Sequence, residues 1–335
     1  MFDLAPNQSK KFNSMMKLSH RLSPQPTPGG TPKFAGSSAM SRRDFIAASV
    51  SALALTLPLA RGEDSAPQPM VDIHMHRNLP RTRTAEQMVL HQKNIGATLT
   101  VVLPLVDTHD DNEEIFKFTQ NDPARWVCFA VEDATSEGAI KKLEQALKRG
   151  AIGLGELKDK IPCDAPQLQA MAALARDHDV PMLYHFEDGN RNDGYVRFHR
   201  MLEKFPTVKF IGHGPSFWAY ISKDYQPHSG NPTGPIMRGG LTDRWLTDYP
   251  NFHGDLSAGS GNNGLTRDRA FAADFVRRHQ DKLMFGSDCP CSTGLGRGCG
   301  SQAKKAAINA LGLDEKVREK ILYANARRLL KLKAV

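Results

Sequence analysis

From residue 71 onward, short apolar, β-branched runs recur at a steady interval, each followed by a polar or amphipathic stretch. The runs are VDIHMH at 71–76, TLTVVLPL at 98–105, WVCFAVED at 126–133, AIGLGEL at 151–157, PMLYHFE at 181–187, VKFIGHG at 208–214, NFHGDLS at 251–257 and KLMFGSD at 282–288. Strand-like runs that alternate with helix-length patterns build parallel sheets, because each parallel neighbour needs a crossover connection. Helical patterns fall at 85–94, 137–149, 166–178 and 267–280. Within the second of these, Ala139, Ile140, Leu143, Ala146 and Leu147 lie on one helical stripe. Two helical segments, 301–311 and 314–333, close the chain. Eight such units within residues 70–333 fit a closed (β/α)8 TIM barrel of one domain better than an open doubly wound sheet. The main insertion is 215–250, which carries Trp218, Tyr220, Tyr225, His228, Arg238 and Trp245 and is expected to act as a lid or binding loop.

The residues before this pattern differ in kind. Of the formal net charge of +8, residues 1–62 account for +6, so the remainder is close to neutral and offers no basic face for nucleic acid. Residues 1–40 are rich in Ser, Pro, Gly and Lys and read as a disordered leader, or as a mis-assigned start if synthesis begins at Met40. SRRDFI at 41–46 precedes a short apolar stretch to Ala60, and Ala60-Arg61-Gly62 is a small-x-small sequence. Residues 41–62 therefore resemble a twin-arginine signal peptide. The expectation is export by the twin-arginine machinery to a periplasmic or extracellular location. Five cysteines follow, at 128, 163, 289, 291 and 299. The odd count excludes a fully paired framework; a bond from Cys289 or Cys291 to Cys299 would staple one loop. As a metal set they lack a second CxxC half.

Active sites of TIM barrels form at the C-terminal ends of the strands. Those ends carry His74 and His76, then Glu156, His185, His213 and Asp288. His74 and His76 are two apart and share a strand face. An HxH pair alone is a weak signal, and a single strand-end histidine is commonly a satisfied polar residue. Six metal-competent side chains on five strands, all at the same end, are hard to obtain from packing, because each would carry a desolvation cost. The set suits zinc or a similar first-row divalent metal. Two patterns point away from other chemistries. Gly294, Gly296 and Gly298 lack the Lys-Ser/Thr of a phosphate loop, and residues 257–261 lack the G-x-S-x-G elbow of serine hydrolases.

DIHMH, GLGEL, LYHFE, FIGHG, DLSAGSGNN, FGSDCP and ILYANARRLL together resemble the amidohydrolase-related TIM-barrel metal-dependent hydrolases of the amidohydrolase superfamily, over about residues 70–331. The resemblance implies one or two divalent ions, most often zinc, with His74, His76, His185 and Asp288 as ligands. It matches His213 to a position that binds a second metal or contacts substrate, and Glu156 to a bridging carboxylate. Lys158 shares the face of Glu156 and is either a substrate-facing cation or a solvated loop residue. One tightly bound ion with a weaker second site is expected. A metal-acidified water would attack a small amide, lactone or ester, with Asp288 as proton acceptor and donor and His213 beside the developing oxyanion. Relatives that decarboxylate without hydrolysis keep an alternative open; a non-catalytic binding barrel ranks below both. Arg77 and Arg238 are candidate anchors for an anionic substrate, or ordinary solvated arginines. Asp72 either orients an imidazole or is a polar residue at a strand start.

Overall fold

The computed structural model describes residues 68–77, 83–105, 112–227 and 231–333. The leader and signal readings at 1–62 and His228 lie outside the described residues. Each apolar run supplies one strand: β1 (Val71–His76), β2 (Leu99–Leu103), β3 (Trp126–Cys128), β4 (Leu154–Leu157), β5 (Met182–His185), β6 (Phe210–His213), β7 (Phe252–Asp255) and β8 (Leu283–Met284). They form two parallel arcs, β1-β2-β3 and β4-β5-β6-β7-β8. A parallel bridge between Ala130 and Leu154 joins the arcs on one side. On the other, the Ile73 N–H donates to the Phe285 carbonyl at 3.1 Å and brings β8 beside β1. The closed ring is the expected (β/α)8 barrel.

The helices are α1 (Ala85–Ile95), α2 (Asn112–Gln120), α3 (Ala139–Lys148), α4 (Pro166–Asp177), α5 (His199–Lys204), α6 (Pro215–Ala219), α7 (Leu241–Asp248), α8 (Ala258–Thr266), α9 (Arg269–Arg278), α10 (Gly300–Asn309), α11 (Glu315–Glu319) and α12 (Asn325–Leu329). A π-helical turn at Lys320–Ala324 joins the last two. α1 starts where Thr84 and Gln87 form a reciprocal capping box and stops at Gly96 in the left-handed region. The α3 stripe is buried at Ala139, Leu143, Ala146 and Leu147, but Ile140, at its far edge, is exposed.

The aromatic part of 215–250 corrects the lid expectation. The segment contains α6 and α7, and Trp218, Tyr220 and Trp245 are buried in the core between barrel and helices. The Trp218 Nε1–H donates to the Asp255 carbonyl at 3.0 Å, so this ring braces the end of β7.

Apolar side chains form two layers. Val71, Ile73, Val101, Leu183, Ile211 and Met284 belong to an inner cluster that fills the barrel, and Tyr323, Ala326 and Leu330 from the C-terminal helical region pack into it. A larger outer core, which includes Met75, Val102, Leu154, Leu157, Met182, Tyr184 and Phe210, lies between sheet and helices. The inner cluster is the floor on which the polar mouth rests.

Candidate metal centre

Strict alternation from Val71 and Ile73, both inward, would turn His74 and His76 outward. The β1–β2 ladder shifts register between Asp72 and Met75, and this irregularity re-aims both imidazoles toward the barrel axis. A second register shift, between Leu154 and Leu157, does the same for Glu156. His185 and His213 end their strands side by side as register partners. Asp288 follows β8 with φ of 44°, a left-handed conformation unusual for a residue with a Cβ. Its N–H donates to the His74 carbonyl at 2.7 Å. Asp72 supports the same seam: its Oδ1 accepts from the Ser287 N–H at 2.8 Å and from the His74 N–H at 3.2 Å. Asp72 therefore holds backbone, not an imidazole. Gly286 is required beside it, since a Cβ there would lie 2.2 Å from Asp255 Oδ1.

The cluster is tight and buried. His74 Nε2 lies 3.2 Å from His76 Nε2, and Glu156 Oε2 lies 3.3 Å from the first and 3.0 Å from the second. The other carboxylate oxygen, Oε1, lies 2.8 Å from His185 Nδ1 and 3.3 Å from His213 Nε2. Asp288 Oδ1 is 3.8 Å from His74 Nε2 and 3.7 Å from His76 Nε2, and its Oδ2 is 3.9 Å from His213 Nε2. Lys158 Nζ closes on Glu156 Oε2 at 2.6 Å.

The outer hydrogen bonds fix the imidazole tautomers. His74 Nδ1 faces Asp255 Oδ2 at 2.7 Å, and His76 Nδ1 faces the Leu103 carbonyl at 3.1 Å. Both Nδ1 atoms must donate, which leaves two Nε2 lone pairs facing each other. Ser257 Oγ donates to Asp255 Oδ2 at 2.8 Å and so accepts from His213 Nδ1, also at 2.8 Å. His213 Nε2 is then a third lone pair, and neither it nor Asp288 Oδ1 has a hydrogen-bond partner among the described residues. Three imidazole lone pairs and two carboxylates converging in a buried space fit a divalent cation, with the outer partners that orient ligating histidines.

The charges respond accordingly. Burial pulls the His74 imidazole down, but Glu156, Asp288 and Asp255 outweigh it and hold its pKa well above the usual value. Burial, reinforced by the charge on His74, drives His213 well below. Burial raises Glu156, yet Lys158 and His74 overcome it and keep that carboxyl well below the ordinary range.

All six expected ligands and Lys158 come together at one end of the barrel. His213 fits a ligand role better than that of an oxyanion donor, because a second proton on its ring is opposed by burial and by His74. Arg77 and Arg238 are not brought to the cluster. The Arg77 guanidinium lies 3.6 Å from Glu114 and over the Phe118 ring on α2. Arg238 is exposed and pairs with Asp274 on α9 at 2.7 Å. Three residues were not foreseen. Asp255 ends β7 and lies within two residues of the end of the seventh apolar run, so the rule that found Asp288 points to it as well. Ser257 lies two residues on. Lys304, buried mid-helix in α10, donates to the Ala258 carbonyl at 2.9 Å and carries no sequence signal.

The sequence profile described as Amidohydrolase matches residues 59–332. No curated protein matches the chain by sequence. Solved structures share the fold. An uncharacterised TIM-barrel protein from Bordetella bronchiseptica is 14% identical with a TM-score of 0.58, covering 78% of this chain and 98% of its own. A protein assigned as a 2-pyrone-4,6-dicarboxylic acid hydrolase from Acinetobacter baumannii, with citric acid bound, is 15% identical with a TM-score of 0.56, covering 78% and 99%. The 5-carboxyvanillate decarboxylase of Novosphingobium aromaticivorans, complexed with manganese and 4-hydroxy-3-methoxy-5-nitrobenzoic acid, is 13% identical with a TM-score of 0.53, covering 76% and 83%. At these identities the likeness concerns the barrel alone.

The bond from Asp255 to His74 gives the first test. Asp255→Asn is expected to weaken divalent-metal binding by about ten- to a hundredfold, the usual cost of losing an outer partner of a ligating histidine. Chelator competition measures it, and an unchanged affinity would contradict the assigned role.

Proposed function

Since the chain belongs to the amidohydrolase family, we propose that it is a metal-dependent hydrolase that cleaves a small amide, lactone or ester at the C-terminal mouth of its barrel. The observation that carries this reading is Asp288 Oδ1, a carboxylate oxygen with no hydrogen-bond partner among the described residues, 3.7 Å and 3.8 Å from two imidazole nitrogens. His74, His76, Glu156 and Asp288 would hold the first ion, zinc in this reading. A weaker second ion would be held by His185, His213 and the other oxygen of Glu156. The bound cation would supply an acidified water and polarise the substrate carbonyl. Asp288 accepts the proton of the attacking water and returns it to the leaving group. Lys158, partly exposed and paired with Glu156 Oε2 at 2.6 Å, would take the place of Arg77 and Arg238 as the cation for a negatively charged substrate group.

Turnover in oxygen-18 water tests the reaction class: hydrolysis places one solvent oxygen in the product. Release of carbon dioxide with no solvent oxygen retained in the product would instead establish a decarboxylase. On a substrate so identified, Asp288→Asn is expected to keep the fold and much of the metal while turnover falls by roughly two to four orders of magnitude, the range for loss of a general acid–base. Near-normal turnover in that variant would overturn the role of Asp288.

We also read residues 41–62 as an export signal, so that the enzyme acts outside the cytoplasm. Replacing Arg42 and Arg43 together by lysine is expected to retain the protein in the cytoplasmic fraction. Unchanged export would refute the twin-arginine reading.

A further inference from the structure

Immediately after Asp288 the chain enters Cys289, and the loop that begins there ends at Cys299, the residue before α10. The two sulfurs lie 3.8 Å apart, and both side chains are buried. His91, fully buried on α1, places a ring nitrogen within 4.8 Å of both sulfurs. We propose that His91, Cys289 and Cys299 form a second metal site, a thiolate site for zinc(II), independent of the cation at the barrel mouth.

Three observations support it. Two zinc–sulfur bonds of about 2.3 Å at a tetrahedral angle set the sulfurs about 3.8 Å apart, whereas a disulfide needs about 2.05 Å. The second concerns His91. Its Nε2 lies 3.2 Å from Ser301 Oγ, while Nδ1 is buried with no hydrogen-bond partner among the described residues. A Cys289–Cys299 disulfide would leave that nitrogen unexplained; a ligated imidazole with an outer hydroxyl partner explains both atoms. The third is charge. Two thiolates and a neutral imidazole cancel the charge of a zinc ion, so the complex is neutral where a net charge would be penalised by burial. On binding, the ion replaces the two thiol protons, which pass to solvent. The site has no CxxC spacing because its two cysteines stand at the ends of a loop and the third donor comes from α1.

The fold assembles these donors by itself. Asn94 on α1 donates to the Thr293 carbonyl at 2.8 Å, and Gln302 donates to the Gly294 and Asn94 carbonyls at 2.9 and 3.0 Å. Zinc there would pin the 289–299 loop against α1 and so hold the turn that carries Asp288.

Reduced full-length protein loaded anaerobically with cobalt(II) tests the site, because the mouth donors among the described residues include no cysteine. A thiolate-to-cobalt charge-transfer band in the near ultraviolet is expected in the wild type. It should be lost in Cys299→Ser and kept in His74→Ala, and zinc-loaded Cys299→Ser should carry about one equivalent less zinc than wild type. A band that disappears only with His74, or no band in folded wild type whose five thiols all titrate after denaturation, would overturn the proposal. So would a native mass short by two hydrogens with a Cys289–Cys299 cross-linked peptide. Failure of the mouth reading registers separately, as a missing His74-dependent ion with the band intact.

Discussion

Glu156 is a fully buried carboxylate that cannot be left alone: an uncompensated charge at such depth costs several kcal/mol. Everything around it is compensation. One oxygen faces His74, His76 and Lys158, and the other faces His185 and His213. Five side chains from four strand ends are thereby gathered about one group. Its two oxygens are divided between two imidazole pairs, His74 with His76 and His185 with His213, and in the proposed reading each oxygen would serve a separate ion.

That arrangement depends on the closing seam of the barrel. β8 is only two residues long, and the connection back to β1 is completed by backbone and carboxylate hydrogen bonds. Asp72 clamps the turn before Asp288, while Arg83 donates to the His76 carbonyl and, through Nη1, to the Cys289 carbonyl at 3.0 Å. The residue read as the proton carrier is therefore fixed by the same contacts that shut the cylinder. Its left-handed backbone can persist because those contacts over-determine it.

Much of this was legible in the sequence because barrel strands are short, apolar and evenly spaced, and polar residues at their ends have no packing reason to be there. The eight runs each contain a strand, and the six strand-end candidates converge. What was not legible depends on geometry that spacing does not encode. The two register shifts that turn His74, His76 and Glu156 inward leave no compositional mark. Arg238 looked available until the fold gave it Asp274 as a partner, and the aromatics of 215–250 look the same in sequence whether they form a lid or a core. Lys304 and His91 sit within ordinary helical patterns, and their partners are distant in sequence: the Ala258 carbonyl lies 46 residues from Lys304, and Ser301 lies 210 residues from His91.

Anomalous diffraction at the zinc edge, on crystals grown without chelator and with zinc supplied, addresses the centre directly. The expected result is a full-occupancy peak about 2.0–2.2 Å from His74 Nε2, His76 Nε2 and an oxygen of Glu156, with a weaker peak on the His185 side. Two full-occupancy peaks about 3.5–4 Å apart would replace the single tight ion with a binuclear centre. No peak at the mouth of the barrel would contradict the account at its root.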